Sequence, residues 1–162
     1  MSTSAIVELA AEVGAALRQR GLVLATAESC TGGGVAQAVT EIAGSSAWFD
    51  CGFVTYSNAA KMDLLQVPEA TLAQHGAVSD ETAAAMCSGT LGNSRAHVAV
   101  STTGIAGPDG AVPGKPVGTV YFGWAVDGKV ETQRMEFAGD RQAVREQSVI
   151  HSLRGLLQRL QA

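Results

Sequence analysis

The chain has 162 residues, 46% of them hydrophobic and only 16% charged, with a formal net charge of −4. This excludes intrinsic disorder, which needs low hydrophobicity and high charge, and it lacks the basic footprint of a nucleic-acid partner. No apolar run approaches the roughly 20 residues that span a bilayer.

The N-terminal MSTSAIVELAAEV lacks a basic n-region, so no secretory leader and no membrane partner are expected. The three cysteines, Cys30, Cys51 and Cys87, show no C-x-x-C spacing. They read as reduced thiols of a cytoplasmic protein without a disulfide framework or a metal site.

Taken in order, Ser4 to Arg20 places Ile6, Ala10, Val13 and Leu17 on one face and predicts an amphipathic helix stopped by Gly21. Leu22 to Thr26 is a short apolar run that reads as a buried strand. Ala27-Glu28-Ser29-Cys30-Thr31-Gly32-Gly33-Gly34 follows, and Val35 to Ala43 reads as a helix. Trp48 to Tyr56 is aromatic and β-branched, hence strand-like. A short helix begins near Ser57 or Asn58, carries Lys61 and ends before Pro68. Ser79, followed by Asp80 and Glu81, starts another through a capping hydroxyl and acids in the first turn.

His97 to Thr103 reads as a buried strand. Gly104 to Gly118 contains five Gly and three Pro and forms a long irregular loop, of a length usually functional or disordered. Thr119–Val126 and Lys129–Phe137 flank Asp127-Gly128, a strong hairpin signal. Gly139-Asp140 opens a last helix with Val144, Ile150, Leu153, Leu157 and Leu160 on its apolar face. The order α-β-α-β-α-α-β-β-β-α predicts one domain over residues 1–162, a three-layer α/β/α fold with a mixed sheet. Ligands of open α/β sheets gather beyond the carboxyl ends of strands. The loops after Thr26, Tyr56 and Thr103 are therefore the expected walls of a site.

The glycine cluster is neither a dinucleotide fingerprint nor a Walker A motif: Gln37 stands where a small residue is needed, and Pro116 follows Gly114-Lys115. Thr31, Gly32 and Gly33 can present N–H groups to an anion at the next helix, or form a turn without a ligand. Ser29 stands between a strand and a helix, the setting of a nucleophile elbow, although G-x-S-x-G is absent. A serine needs a base. His75, His97 and His151 have no carboxylate orienter nearby in sequence. Of only three lysines, Lys61 follows a strand closely; a desolvated lysine loses its proton readily and can serve a serine. Beside this stand plainer readings: Lys61 as an exposed helix lysine, Ser29 as a cap. Cys30 is a rival nucleophile or a small buried apolar residue. Arg141 and Arg145, four apart on the last helix, can grip a phosphate or form a solvated face.

The segments AESCTGG (27–33), GFVTYSNAAK (52–61), GIAGP (104–108), KPVGT (115–119) and GDRQAVR (139–145) together resemble the C-terminal domain of the competence/damage-inducible protein CinA. Members that stand alone at this length are similar to nicotinamide mononucleotide (NMN) deamidases. The resemblance implies hydrolysis of the NMN carboxamide to nicotinic acid mononucleotide and ammonia, in pyridine nucleotide recycling. CinA proteins also carry a pyrophosphatase-type domain, for which this chain has no room, so the amidase activity alone is expected. The resemblance places the nucleophile on Ser29, the base on Lys61 and a further catalytic group on Tyr56. Substrate contacts are expected from Thr31, Gly32, Gly33, Asn58, Thr103, Gly104, Arg141 and Arg145. Neither metal nor organic cofactor is required. A homo-oligomer is expected, with the hairpin carrying Phe122 and Trp124 as a possible interface. The alternative is a non-catalytic nucleotide- or partner-binding domain linked to competence or DNA damage; the joint presence of Ser29, Tyr56 and Lys61 speaks for the enzyme.

Overall fold

The computed structural model describes residues 3–162, with side chains from Ala5 onward. Met1 and Ser2, which belong to the expected 1–162 domain and to the leader reading, lie outside the described residues. The elements are α1 (Thr3–Arg20), β1 (Leu24–Glu28), α2 (Gly34–Thr40), β2 (Phe49–Val54), α3 (Asn58–Leu65), α4 (Glu69–His75), α5 (Asp80–Gly92), β3 (Val98–Gly104), β4 (Thr119–Val126), β5 (Lys129–Glu136) and α6 (Arg141–Gln161). Five strands form one mixed sheet in the order β2-β1-β3-β4-β5. β1 pairs in parallel with both β2 and β3, whereas β3–β4 and β4–β5 are antiparallel. α1, α2 and α6 cover one face and α5, with α3 and α4 beside it, the other. This is the expected three-layer α/β arrangement. Among the described residues no helix is long and apolar enough to cross a membrane.

The two faces are built differently, as strand alternation requires. Leu24, Val98, Val100, Val120, Phe122, Trp124 and Val126 point to one side, where they meet Val13 and Leu17 of α1 and Val144, Leu153 and Leu156 of α6. Both tryptophans are seated on helix glycines. A Cβ at Gly14 would lie 2.5 Å from the Trp48 ring, and one at Gly155 would lie 2.3 Å from the Trp124 ring. Phe122 and Trp124 are fully buried inside this core, so they cannot supply the subunit interface expected of the hairpin. Hydrophobicity marked them as sticky, but α6 covers them within the chain.

The opposite side carries Ala25, Ala27, Ala99, Ser101, Gly123 and Ala125, all small, with Tyr121 as a large exception on β4. They admit α5 at close range: a Cβ on Gly123 would stand 2.8 Å from the Ala83 carbonyl oxygen. Hydroxyls do much of the joining here. Ser101 Oγ donates to Ala83 O at 2.7 Å, and Thr103 Oγ1 donates to Ala77 O at 2.7 Å.

Several boundaries move. β1 runs to Glu28 rather than stopping at Thr26, because the Glu28 carboxylate is hydrogen-bonded and can be buried in the strand. α2 ends at Thr40 and gives way to a 3-10 turn at Ser45–Ala47. The expected list also lacked α4, seven residues long, which Pro68 opens and Gly76 closes. The caps follow the sequence: Ser57, Ser79 and Asp140 accept from Ala60, Thr82 and Ala143 N–H groups at the starts of α3, α5 and α6.

Candidate active site

The carboxyl ends of β1, β2 and β3 lie side by side, since Glu28 is in register with both Val54 and Thr102. The chain leaving β1 turns at once: Ser29 N–H donates to Thr102 O at 3.0 Å, and Gly32 N–H donates back to Ser29 O at 3.0 Å. Gly32 and Gly33 adopt φ of 59° and 101°, the left-handed region this turn into α2 demands. Glu28 locks the turn from below. Its Oε1 accepts from Thr31 Oγ1 at 2.6 Å and from Val35 N–H at 2.8 Å, and its Oε2 accepts from Ala36 N–H at 3.0 Å. Thr31 gives its proton to Glu28, so the 2.8 Å contact between the Thr31 and Thr102 hydroxyls is donated by Thr102. A carboxylate thus caps α2 from within, and an external anion finds two of its N–H groups already taken.

Glu28 had no assigned role in the sequence. The available signal was an acid at a strand end, a few residues before a helix whose first turn carries no acid of its own.

The chain leaving β2 brings the second group. Thr55 N–H donates to Glu28 O at 2.8 Å, extending the β1–β2 pairing, and Ser57 then caps α3. One turn into α3, Lys61 points back under the sheet end and is 1% exposed. Its Nζ donates to Thr55 O at 2.8 Å, Tyr56 O at 3.2 Å and Ser29 Oγ at 3.1 Å. Burial lowers its pKa from 10.5 to about 8, opposed by the neighbouring Cys30. Among the described residues no carboxylate is paired with Lys61. Ser29, 8% exposed, is aimed at the same two-carbonyl corner, with its Oγ 3.4 Å from Tyr56 O. Cys30 is buried among apolar residues, and burial above all pushes its thiol up to about 12, so it stays protonated and is a poor nucleophile. The histidines are engaged elsewhere. His97 Nδ1 accepts from Val23 N–H, His151 bonds Gln133, and His75 lies 3.5 Å from Glu81.

These groups open into a cavity of about 230 Å³ lined by Ser29, Cys30, Tyr56, Lys61, Ala77, Val78, Thr103, Gly104, Ala106 and Arg141. Thr31, Gly32, Gly33, Asn58 and Arg145 are not in its lining. Thr31 faces inward to Glu28, and Asn58 is exposed on the first turn of α3. Arg145 Nε donates to Cys30 O at 3.2 Å and its Nη2 to Thr31 O at 3.4 Å, so this guanidinium braces the serine turn from outside. Arg141 donates to Gly107 O at 2.8 Å and to the exposed Tyr56 hydroxyl at 3.2 Å. It stands at the cavity mouth and also lines a larger cleft of about 730 Å³ between α1, α2 and α6. A pocket of about 230 Å³ is below the ~300–1,000 Å³ usual for a complete drug-sized ligand and suits the reacting end of a larger one.

A buried serine–lysine pair at the carboxyl ends of parallel strands defines an α/β protein equipped for attack on a carbonyl. The sequence from residue 6 to 160 matches the CinA C-terminal domain, and the chain belongs to that family. It is 56% identical over 158 residues to the nicotinamide-nucleotide amidohydrolase PncC of Enterobacter agglomerans, covering 97% of this chain and 96% of that protein. It is 54% identical over 159 residues to the Escherichia coli protein of the same name, covering 98% and 96%. Among solved structures, the competence damage-inducible protein A (ComA) of Klebsiella pneumoniae superposes with a TM-score of 0.93 at 46% identity, covering 96% of this chain and 97% of that one.

Proposed function

We propose that this protein hydrolyses the carboxamide of NMN to nicotinic acid mononucleotide and ammonia, with Ser29 as nucleophile and Lys61 as its base. The observation that carries the reading is the 3.1 Å contact between Lys61 Nζ and Ser29 Oγ in a buried corner. The full-length likeness to two proteins named nicotinamide-nucleotide amidohydrolase supports the choice of substrate.

The corner explains how a lysine serves as base near neutral pH. Two of its three donors are committed to Thr55 O and Tyr56 O. When burial strips the third proton, the lone pair is left facing Ser29. Lys61 then takes the Ser29 proton as Oγ attacks the carboxamide carbon. The resulting ammonium returns that proton to the nitrogen as the C–N bond breaks, releasing ammonia and leaving an ester on Ser29. A water molecule, deprotonated by the same lysine, cleaves the ester to the acid.

Oxyanion donors come from the backbone. Ile105 N–H donates to Thr119 O, so the alternation of the antiparallel ladder turns the N–H of Gly104 away from β4, to the side where Ser29 N–H meets Thr102 O. The nicotinamide end occupies the small cavity, and the ribose phosphate leaves it past Tyr56 and Arg141.

The test is an ammonia-release assay on NMN with a parallel calorimetric binding measurement. Ser29→Ala and Lys61→Met should each lose at least about a thousandfold in kcat while still binding NMN. Substantial turnover by Ser29→Ala removes the serine mechanism. Absence of turnover by the wild type, with binding intact, favours a binding domain.

A further inference from the structure

Lys115 lies far from the chemistry in sequence and is not in the cavity lining, yet it joins two of the cavity walls. One wall is the segment 76–79 between α4 and α5, which contributes Ala77 and Val78. The other is the start of the 104–118 loop, which contributes Gly104 and Ala106. The first wall has no regular secondary structure, and three successive carbonyls of it are held by side chains. Gly76 O accepts from Ser79 Oγ at 2.9 Å and Thr82 Oγ1 at 2.6 Å, and Ala77 O accepts from Thr103 Oγ1 at 2.7 Å. Val78 O accepts from Lys115 Nζ, which also reaches His75 O at 3.4 Å.

The anchor itself is well founded. Val112 and Lys115 exchange backbone hydrogen bonds of 3.1 and 2.9 Å, closing a tight turn at the loop tip. Arg134 Nη2 donates to Gly114 O at 2.8 Å. The Lys115 ammonium and the Arg134 guanidinium each lie 5.8 Å from the centre of the buried Tyr121 ring. The side chain is therefore packed along an aromatic surface with its charge delivered to a carbonyl, an arrangement a solvated lysine does not adopt.

We propose that Lys115 is a positioning residue for the reaction: it clasps the 104–118 loop to the 76–79 segment and fixes the spacing of the two walls that orient the carboxamide against Ser29. This rests on the reading of the site as an NMN amidase. Misplacement of a substrate by about an ångström costs rate chiefly through orientation. Lys115→Met keeps the aliphatic stem and removes the donors; Lys115→Arg keeps a donor.

The test combines steady-state kinetics, thermal melting and hydrogen exchange at Thr82 and Ala83, whose N–H groups bond Ser79 at the end of the clasped segment. Lys115→Met should lower kcat about tenfold or more and move KM by less than about threefold. It should speed exchange at Thr82 and Ala83 and leave the melting midpoint within about 2 °C of wild type. Lys115→Arg should recover most of the lost kcat. Wild-type kcat in Lys115→Met overturns the clasp, as does an equal loss in both variants with exchange unchanged. If the wild-type protein releases no ammonia from NMN, the substrate reading fails by itself. Exchange then decides the clasp: acceleration in the Met variant alone supports it, and no change overturns it.

Discussion

The two faces of the sheet solve the same problem by different means. Toward α1 and α6 the strands present large apolar groups, from Leu24 to Trp124, and cohesion comes from area removed from water. Toward α5 the central strand positions are Ala, Gly and Ser, and close backbone approach and hydroxyls that reach carbonyls add to a smaller apolar cluster around Met86 and Leu65. Hydrophobic packing tolerates sliding, whereas a hydrogen bond fixes distance and direction. The Ala77–Val78 wall of the cavity, which must hold its place to tenths of an ångström, belongs to the second face. The mass of core that keeps the domain folded belongs to the first.

This division gives ordered expectations. The largest is electrostatic and lies in the site. With a Lys61 pKa of about 8, kcat/KM should rise roughly tenfold per pH unit below that value and level off above it. The stability sign follows from the same shift. The native pKa lies below the ordinary 10.5, so between about 8 and 10.5 the unfolded chain holds the extra proton and stability rises with pH. Below about 8 the buried ammonium costs about 3 kcal/mol, and Lys61→Met, free of that cost, should show a flatter profile in melts across pH 6 to 11.

Next comes the apolar face. Leu153→Ala, at a fully buried position, should lose about 2–5 kcal/mol in denaturant unfolding while keeping kcat per folded molecule. The smallest change lies on the polar face. Ser101→Ala removes the second donor to the Ala83 carbonyl, which keeps its place in the α5 ladder, and should cost about 0.5–1.5 kcal/mol. Equal sensitivity of kcat to Leu153→Ala and to Lys115→Met would erase the proposed division.

The sequence made the scaffold legible where a pattern has a single physical meaning. Asp127-Gly128 between two strand-like runs gives β4 and β5, and Ser79 followed by two acids gives α5. The candidate nucleophile and lysine were also visible, because each follows a strand and lysine is rare in this chain. The contact between them was not. It depends on β1 and β2 being parallel neighbours, and nothing local in either strand states its partner. Glu28 was obscure because a carboxylate reads as a surface residue until its three hydrogen-bond partners are known. α4 was missed because seven residues between Pro68 and Gly76 carry too little periodicity to register.

α1 and α6 run side by side in the same direction: Ile6 and Arg141 line one cleft, and Arg20 Nη1 donates to Leu160 O at the far end. The first helix of this domain in chain order therefore has its main partner in α6. Before α6 is made, the stripe of Ala10, Val13 and Leu17 has partial cover from α2, Trp48 and the sheet, and the apolar sheet face lacks the part of its lid that α6 provides. Completion of the domain waits for α6, and a nascent chain stalled before Arg141 would present that partly covered stripe to chaperones and proteases.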